Sequence, residues 1–447
     1  MGAVAAAMKK QGWDVSGSDE KPYPPLSDFL ASEGIVIAQG YSADNLPEKE
    51  ALIVIGNALS RGNPEVEAIL NRKLAYTSLP ELLRTHFLQG RHNLVITGTH
   101  GKTTTASMLA WIFEFAEKQP SYLIGGIPKN LGRGALFRNP KESRHVILEG
   151  DEYDTAFFDK RSKFIHYLPE LVIINNIEFD HADIFSNLEE IKRSFQRLLA
   201  LVPSEGMILL NGDDPNCRDV VQHAPAPIVE VGFSDTAGNR ILHACQREGH
   251  SEFELFGTHF EIPMTGVHNI RNAAMAACAA HFYDIPLPVI AQGLRAFQGV
   301  KRRQEILAMH NGVTIIDDFG HHPTAIRETL AGLRARYPKA RIWALFEPRS
   351  NTSRRSIFQD MLPQAFALAH GVIIGAVARA SLLEENERLN PISLVKELIA
   401  AGKEAYYEPS INNILLKLQT SLEPGDVVVI FSNGSFDGLG ARLTRSL

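Results

Sequence analysis

Cysteine is nearly absent: the 447 residues hold three, Cys217, Cys245 and Cys278, scattered and without CxxC spacing. An odd count with no paired spacing argues against a disulfide framework and a zinc site, and it suits the cytoplasm. A basic excess is also missing. With 45 Lys and Arg against 51 Asp and Glu the net charge is −6, whereas a nucleic-acid-binding face would leave a surplus or a clustered run of basic residues. The alanine-rich start, Met1 to Met8, has no leading basic region and meets Lys9, Lys10 and Trp13 at once, so neither a signal peptide nor a membrane span is expected. There is no internal repeat and no low-complexity tract. What is present, 45% hydrophobic and 21% charged residues, is the composition of a soluble globular protein. The length predicts about three domains.

The chain is organised around the stretch from Leu94 to Thr105. An apolar run, Leu94 to Ile96, ends in the turn Gly98, Thr99, His100, Gly101, and behind it Lys102, Thr103 and Thr104 open a helix whose apolar residues recur at helical spacing to Glu117. A strand, a glycine-bounded turn and a helix N-terminus aim several backbone N–H groups at one point, which suits an anion. Lys102 adds a positive charge, expected to face solvent, and Thr103 a hydroxyl for Mg²⁺, so polyphosphate is the natural ligand. The usual pattern has an earlier glycine where this chain has Ile96, which makes this a shortened variant with Gly98 as the one preceding glycine.

Residues 1–88 read as alternating helices and strands, a parallel α/β layout: helix Ala3 to Gln11, strand Trp13 to Gly17, helix Leu26 to Ser32, then strands Ile35 to Ile37 and Ala51 to Gly56. A dinucleotide-type domain opens with a strand and a glycine-rich turn, so a first strand and its loop are expected to be absent from this sequence. Asp19 stands where such folds place an acid near a ribose, and Asn57, Arg61 and Asn63 follow the later strand; each could equally be a turn residue bonding its own backbone.

The second unit, residues 89–297, has two more buried-type strands. His145 to Leu148 leads into Glu149, Gly150, Asp151 and Glu152; Leu171 to Ile174 leads into Asn175, Asn176, Ile177, Glu178, Phe179, Asp180 and His181. Open α/β sheets place ligands at such strand ends. Carboxylate oxygens suit Mg²⁺, which favours Glu152 as a metal ligand, while His181 is either a ligand or a cap. A β-rich piece from Ile228 to Ile262 reads as hairpins on the sheet edge. His268, Asn269 and Asn272 share one turn of an alanine-rich helix and can present amides to an adenine edge, unless Asn269 is merely the N-cap.

The third unit, residues 298–447, begins with a basic linker carrying Arg303 and continues as a second doubly wound α/β unit. Three of its strand-end loops are polar: Asp317 to Thr324 with His321, Glu347 to Thr352 with Arg349 and Asn351, and Ser432 to Asp437 with Asn433 and Ser435.

These segments together resemble the Mur ligase family, ATP-dependent ligases of bacterial cell-wall precursor metabolism, over essentially the whole chain. Within it, Tyr153 to Phe164, Asp180 to Phe185, Glu347 to Thr352 and Ser432 to Gly434 look like the members that use a tripeptide amine rather than L-alanine. The resemblance implies three domains, binding UDP-sugar, ATP and peptide. It further implies ligation of UDP-N-acetylmuramate to recycled L-alanyl-γ-D-glutamyl-meso-diaminopimelate, with ATP and Mg²⁺ as cofactors and neither nucleic acid nor membrane as partner. On this reading Lys102, Glu152, His181 and Arg303 are catalytic, and Thr103, Glu152 and His181 hold metal. Gly98 to Thr104, His268, Asn269, Asn272, Arg303 and Asp317 take ATP. Asp19, Asn57, Asn176, His321, Arg349, Asn351, Asn433 and Ser435 take the other substrates. Some relatives use a carbamylated lysine for a second Mg²⁺; Lys192 lies on the matching helix at another spacing, which argues against it. The rival readings are an L-alanine-adding ligase, a P-loop switch or motor, and a catalytically silent UDP-sugar sensor.

Overall fold

The structure, a computed structural model, describes residues 1–22, 26–48 and 50–446. Among these, no helix is long and apolar enough to cross a membrane.

The N-terminal residues form two separate parallel strand pairs, Ser16–Asp19 with Val36–Gln39 and Ile53–Ile55 with Tyr76–Ser78. The strand expected from Trp13 to Gly17 lies further along the chain at Ser16–Asp19, because Trp13 turns outward, 40% exposed, to meet His86 edge-on. Asn63 is settled as a helix cap: its side chain accepts from Glu65 N and Val66 N at the start of Pro64–Arg72.

An eight-stranded sheet forms the centre. In spatial order it runs Asn239–Arg240, Ile228–Gly232, Met207–Asn211, Leu171–Ile174, His92–Thr97, His145–Glu149, Ser121–Leu123 and Ala135–Leu136, parallel except for the last pair. Its middle strands are covered on both faces, which is why they read as unbroken apolar runs rather than alternating ones. On one face lie the helices Lys102–Phe115 and Val267–Phe282, packed on each other; the alanines of the second let the two approach closely while both stay buried. On the other lies Leu188–Leu199, with Phe164 and Phe195 in the layer between. The β-rich piece differs from expectation. Its first two strands extend the main sheet in parallel, and Leu242–Gln246, Ser251–Leu255 and Thr258–Ile262 form a separate antiparallel sheet.

The C-terminal sheet has six strands, in the order Glu305–His310, Val313–Asp318, Val427–Phe431, Ile342–Phe346, Gly371–Ile374 and Glu404–Tyr407. Only its first pair is antiparallel, and apolar clusters lie on both faces. Several contacts dock this unit on the central one, two of them between backbones. Lys129 N donates to Gly299 O and Lys301 N to Ile127 O, at 2.9 and 3.0 Å, pinning the linker to the turn after Ser121–Leu123. Gly332 of helix Pro323–Arg336 lies so close to Thr265 and Gly266 that a Cβ there would come within 3.1 Å of their backbone.

Candidate active site

The turn that closes strand His92–Thr97 needs both of its glycines. Gly98 has φ +126°, and a Cβ on it would lie 3.0 Å from the backbone of Asn176; Gly101 has φ +79°, and a Cβ would lie 2.5 Å from Asn272 Oδ1. Neighbouring strand ends hold the turn in shape. Thr99 Oγ1 accepts from Glu178 N at 2.8 Å, and Asn176 bonds both polar groups of the His100 peptide, accepting from N at 2.7 Å and donating to O at 3.3 Å. The helix Lys102–Phe115 starts at Gly101 with no side-chain cap and no acid in its first turn, so its end is left for an anion.

Lys102 is not the solvent-facing residue expected. It bends back so that Nζ donates to Gly98 O at 2.6 Å and to both oxygens of Glu152 at 3.2 and 2.9 Å, with only 11% of its side chain exposed. The other side of Glu152 meets His181 Nε2 at 3.1 Å. Burial would raise the Glu152 carboxyl, but Lys102 and His181 outweigh it and hold it at about 2. Burial would lower His181, but Glu152 and then Asp180 push it up to about 9. For Lys102, likewise, burial is outweighed by Glu152 and Asp151, and its pKa rises. His181 has φ +54°, a left-handed turn that brings its ring back over this acid.

The three expected metal ligands fall into two adjoining groups rather than one. Glu152 and His181 are together, but Thr103 Oγ1 donates to Glu149 Oε1 at 2.8 Å and accepts from Arg303 Nη2 at 3.0 Å. Glu149, the last residue of its strand, was not singled out by sequence. Its other oxygen accepts from Gly125 N at 2.7 Å, and burial, reinforced by Asp151, raises its pKa. A largely buried lysine, an uncapped helix end and three oxygen donors (Thr103, Glu149, Glu152) are groups that could hold polyphosphate and a hard cation.

Comparison with known proteins is decisive for the family. The Mur ligase family catalytic domain matches residues 1–91, the Mur ligase middle domain 96–280, and the Mur ligase glutamate ligase domain 302–434. The UDP-N-acetylmuramate–L-alanyl-γ-D-glutamyl-meso-2,6-diaminoheptandioate ligase of Escherichia coli K12 is 37% identical over 459 residues, covering 100% of this chain and 96% of that protein. This chain belongs to the Mur ligase family. It shares 32% identity and a TM-score of 0.74 with the crystal structure of a murein peptide ligase from Psychrobacter arcticus, covering 100% of this chain and 96% of that one. A UDP-N-acetylmuramate–L-alanine ligase of Desulforapulum autotrophicum, matched over 100% of this chain and 96% of its own length, is 28% identical.

The remaining residues of this Mur ligase are placed unevenly. Asn269 is not the N-cap of its helix, which is Gly266; its amide donates back to Thr265 O at 2.8 Å, and Asn272 Nδ2 approaches Asn269 Oδ1 at 3.4 Å. His268 is half-buried beside them, its Nε2 3.3 Å from Gln304 of the linker and its Nδ1 buried without a partner. Asp317 is bonded to Arg302 at 3.0 Å, while the next residue, Asp318, accepts from Gln304 N and Gly320 N. Asn176, read as a substrate ligand, has both ends of its amide on the His100 backbone.

His321 approaches Asp180 at 3.8 Å. Arg349 meets Glu347 at 3.2 Å, and a Cβ on Gly434 would strike its guanidinium. Asn351 donates to Asp183 of the central unit at 2.6 Å, Asn433 Oδ1 is buried without a partner, and Ser435 precedes the turn at Phe436–Gly438. Asp19 and Asn57 are exposed, and Asp19 accepts from Lys21 N at 3.0 Å. Lys192 pairs with Glu189 and Asp219, away from the phosphate loop.

Proposed function

We propose that this Mur ligase joins UDP-N-acetylmuramate to L-alanyl-γ-D-glutamyl-meso-diaminopimelate at the expense of ATP. The full-length likeness to ligases of that specificity supports the substrate pair. The observation that carries the chemistry is the buried Lys102 at an uncapped helix end, held between Gly98 O and Glu152.

A carboxylate is too poor an electrophile for an amine at neutral pH. The muramate carboxylate therefore attacks the γ-phosphorus of ATP, the bond to the β–γ bridging oxygen breaks, and ADP leaves with that electron pair. The peptide amine then adds to the acyl phosphate carbon, loses a proton and expels phosphate. Two anions must meet in the first step, so positive charge has to dominate the site.

Lys102 exchanges Glu152 for the phosphates when nucleotide enters, and Arg303 reaches the γ-phosphate from the linker. Glu152 with His181, and beside them Thr103 with Glu149, would hold Mg²⁺. Bound there, Mg²⁺ supplies electrostatic stabilisation of phosphate charge as a Lewis acid. Asn269 and Asn272 face the base, and Arg349 with Asn351, Asn433 and Ser435 takes the peptide. The N-terminal unit takes the UDP-sugar.

Phosphate release in the presence of ATP, Mg²⁺ and UDP-N-acetylmuramate tests this. The tripeptide should stimulate it well above L-alanine. A preference for L-alanine would overturn the peptide assignment, and turnover independent of the sugar nucleotide would favour a P-loop motor.

A further inference from the structure

Beside the phosphate loop, two histidines and a glutamate converge at the junction of the central and C-terminal units. His100 comes from the phosphate loop, Glu178 from the segment after strand Leu171–Ile174, and His322 from the N-cap of helix Pro323–Arg336. Glu178 Oε2 lies 3.6 Å from His100 Nε2 and 3.4 Å from His322 Nδ1, and one ligand atom from each residue fits within 4.8 Å of the others. Ligands on a zinc-sized ion, with bonds of about 2.0–2.1 Å, stand roughly 3.4 Å apart in a tetrahedron, close to the two distances measured from Glu178 Oε2.

The protonation pattern also fits. His322 Nε2 lies 3.3 Å from Phe179 O, an acceptor, so its proton sits there and Nδ1, 3.4 Å from Glu178 Oε2, keeps its lone pair. The Thr324 amide lies 3.2 Å from the same Nδ1, a long hydrogen bond that a cation would displace. His100 Nε2 is buried and makes no hydrogen bond. Thr324 Oγ1 donates to Glu178 Oε2 at 2.7 Å and fixes the carboxylate. The two rings are tilted by 48° with centroids 4.4 Å apart, and His322 is 2% exposed.

We propose that His100, Glu178 and His322 form a site for one borderline divalent cation, of the zinc and cobalt class, that ties the C-terminal unit to the phosphate loop. Two imidazole nitrogens and one carboxylate select against Mg²⁺, which prefers oxygen ligands and retains water, so this site is distinct from the one at Glu152 and His181. The three ligands come from two units, so the bound ion resists their separation.

The full-length protein, stripped of metal with a chelator and titrated with Co²⁺, reads the site directly, because tetrahedral Co²⁺ absorbs in the visible. The unmodified protein should show a visible band that saturates at one equivalent and survives a large excess of Mg²⁺. His322→Asn keeps a side chain able to cap the helix but removes the imidazole; it should lose the band and bind the ion at least about tenfold more weakly, since even outer partners of metal-bound histidines cost that much. His181→Ala should keep the band. Glu178→Gln provides a second ligand variant should the first unfold, and it should lose the band as well. No band in the unmodified protein, or a band lost with His181→Ala and kept with His322→Asn, overturns the site.

Discussion

Arg303 Nη2 donates to Thr103 Oγ1 at 3.0 Å, so a residue of the segment leaving the central unit touches the first turn of the phosphate-loop helix. Its guanidinium also lies over the Phe319 ring, 4.6 Å from the centroid. The linker to the C-terminal unit thereby reaches the phosphate loop directly. Arg303→Ala should lower kcat by about a hundredfold, the loss of roughly 3 kcal/mol typical when one preorganised donor is removed. Steady-state kinetics with unchanged kcat would detach Arg303 from the reaction.

Lys102 and Glu152 are both buried, so each needs the other in the ligand-free enzyme. Lys102→Met should abolish ligation and also destabilise the fold by roughly 3 kcal/mol, because it leaves a buried carboxylate short of one partner. Adding Glu152→Gln should return much of that stability and none of the activity. Chemical denaturation of the single and double variants distinguishes this from a lysine that only meets substrate.

His181 makes stability pH-dependent in a definite sense. Its folded pKa of about 9 lies above the ordinary 6.5, so its pairing stabilises fully below pH 6.5 and is lost as pH rises through 9. The stability gap between the unmodified protein and His181→Asn should therefore be flat between about pH 5 and 6.5, on the order of 3 kcal/mol, and close by about pH 9. A gap that widens with pH would contradict the His181–Glu152 pairing.

Gly101→Ala tests the turn. The substitution forces a side chain into φ +79° and sets a Cβ 2.5 Å from Asn272 Oδ1. Nucleotide binding, followed by fluorescence of a labelled ATP analogue, should weaken at least tenfold, with a stability loss of about 1–3 kcal/mol. Unaltered binding would mean that the turn does not shape the phosphate site.

Much of this arrangement was readable from sequence because buried parallel strands are apolar throughout and their polar ends stand out. Leu171 to Ile174 and His145 to Leu148 announced themselves that way, as did the glycine-bounded turn. Glu149 did not. Four residues, Glu149 to Glu152, hold three carboxylates, and only the turn of the chain beyond the strand decides that Glu149 meets Thr103 while Glu152 meets Lys102. Glu178 and His322 stand 144 positions apart in number, and their approach depends on how the C-terminal unit docks, which local pattern cannot express. Asn176 shows the reverse failure: an amide at a ligand-bearing strand end, spent on the backbone of His100.

L-Alanine brings one carboxylate, whereas the tripeptide brings three and a distal ammonium, so its pocket must match charge in kind. Arg349 is half exposed and leans on Glu347, whose second oxygen is bonded by the Ser432 hydroxyl, while Gly434 leaves room for the guanidinium. This anchoring holds the planar fork in position, and a guanidinium's five donors leave several for a bidentate carboxylate. Asn351 is differently engaged, donating across to Asp183, so its loss should affect docking of the two units. Arg349→Ala should lower kcat/KM for the tripeptide by about ten- to a hundredfold while the KM for ATP stays near normal. Arg349→Lys should recover little, because an ammonium cannot reproduce two parallel hydrogen bonds. Unchanged tripeptide kinetics in Arg349→Ala would remove this arginine from the peptide site and return it to a surface ion pair with Glu347.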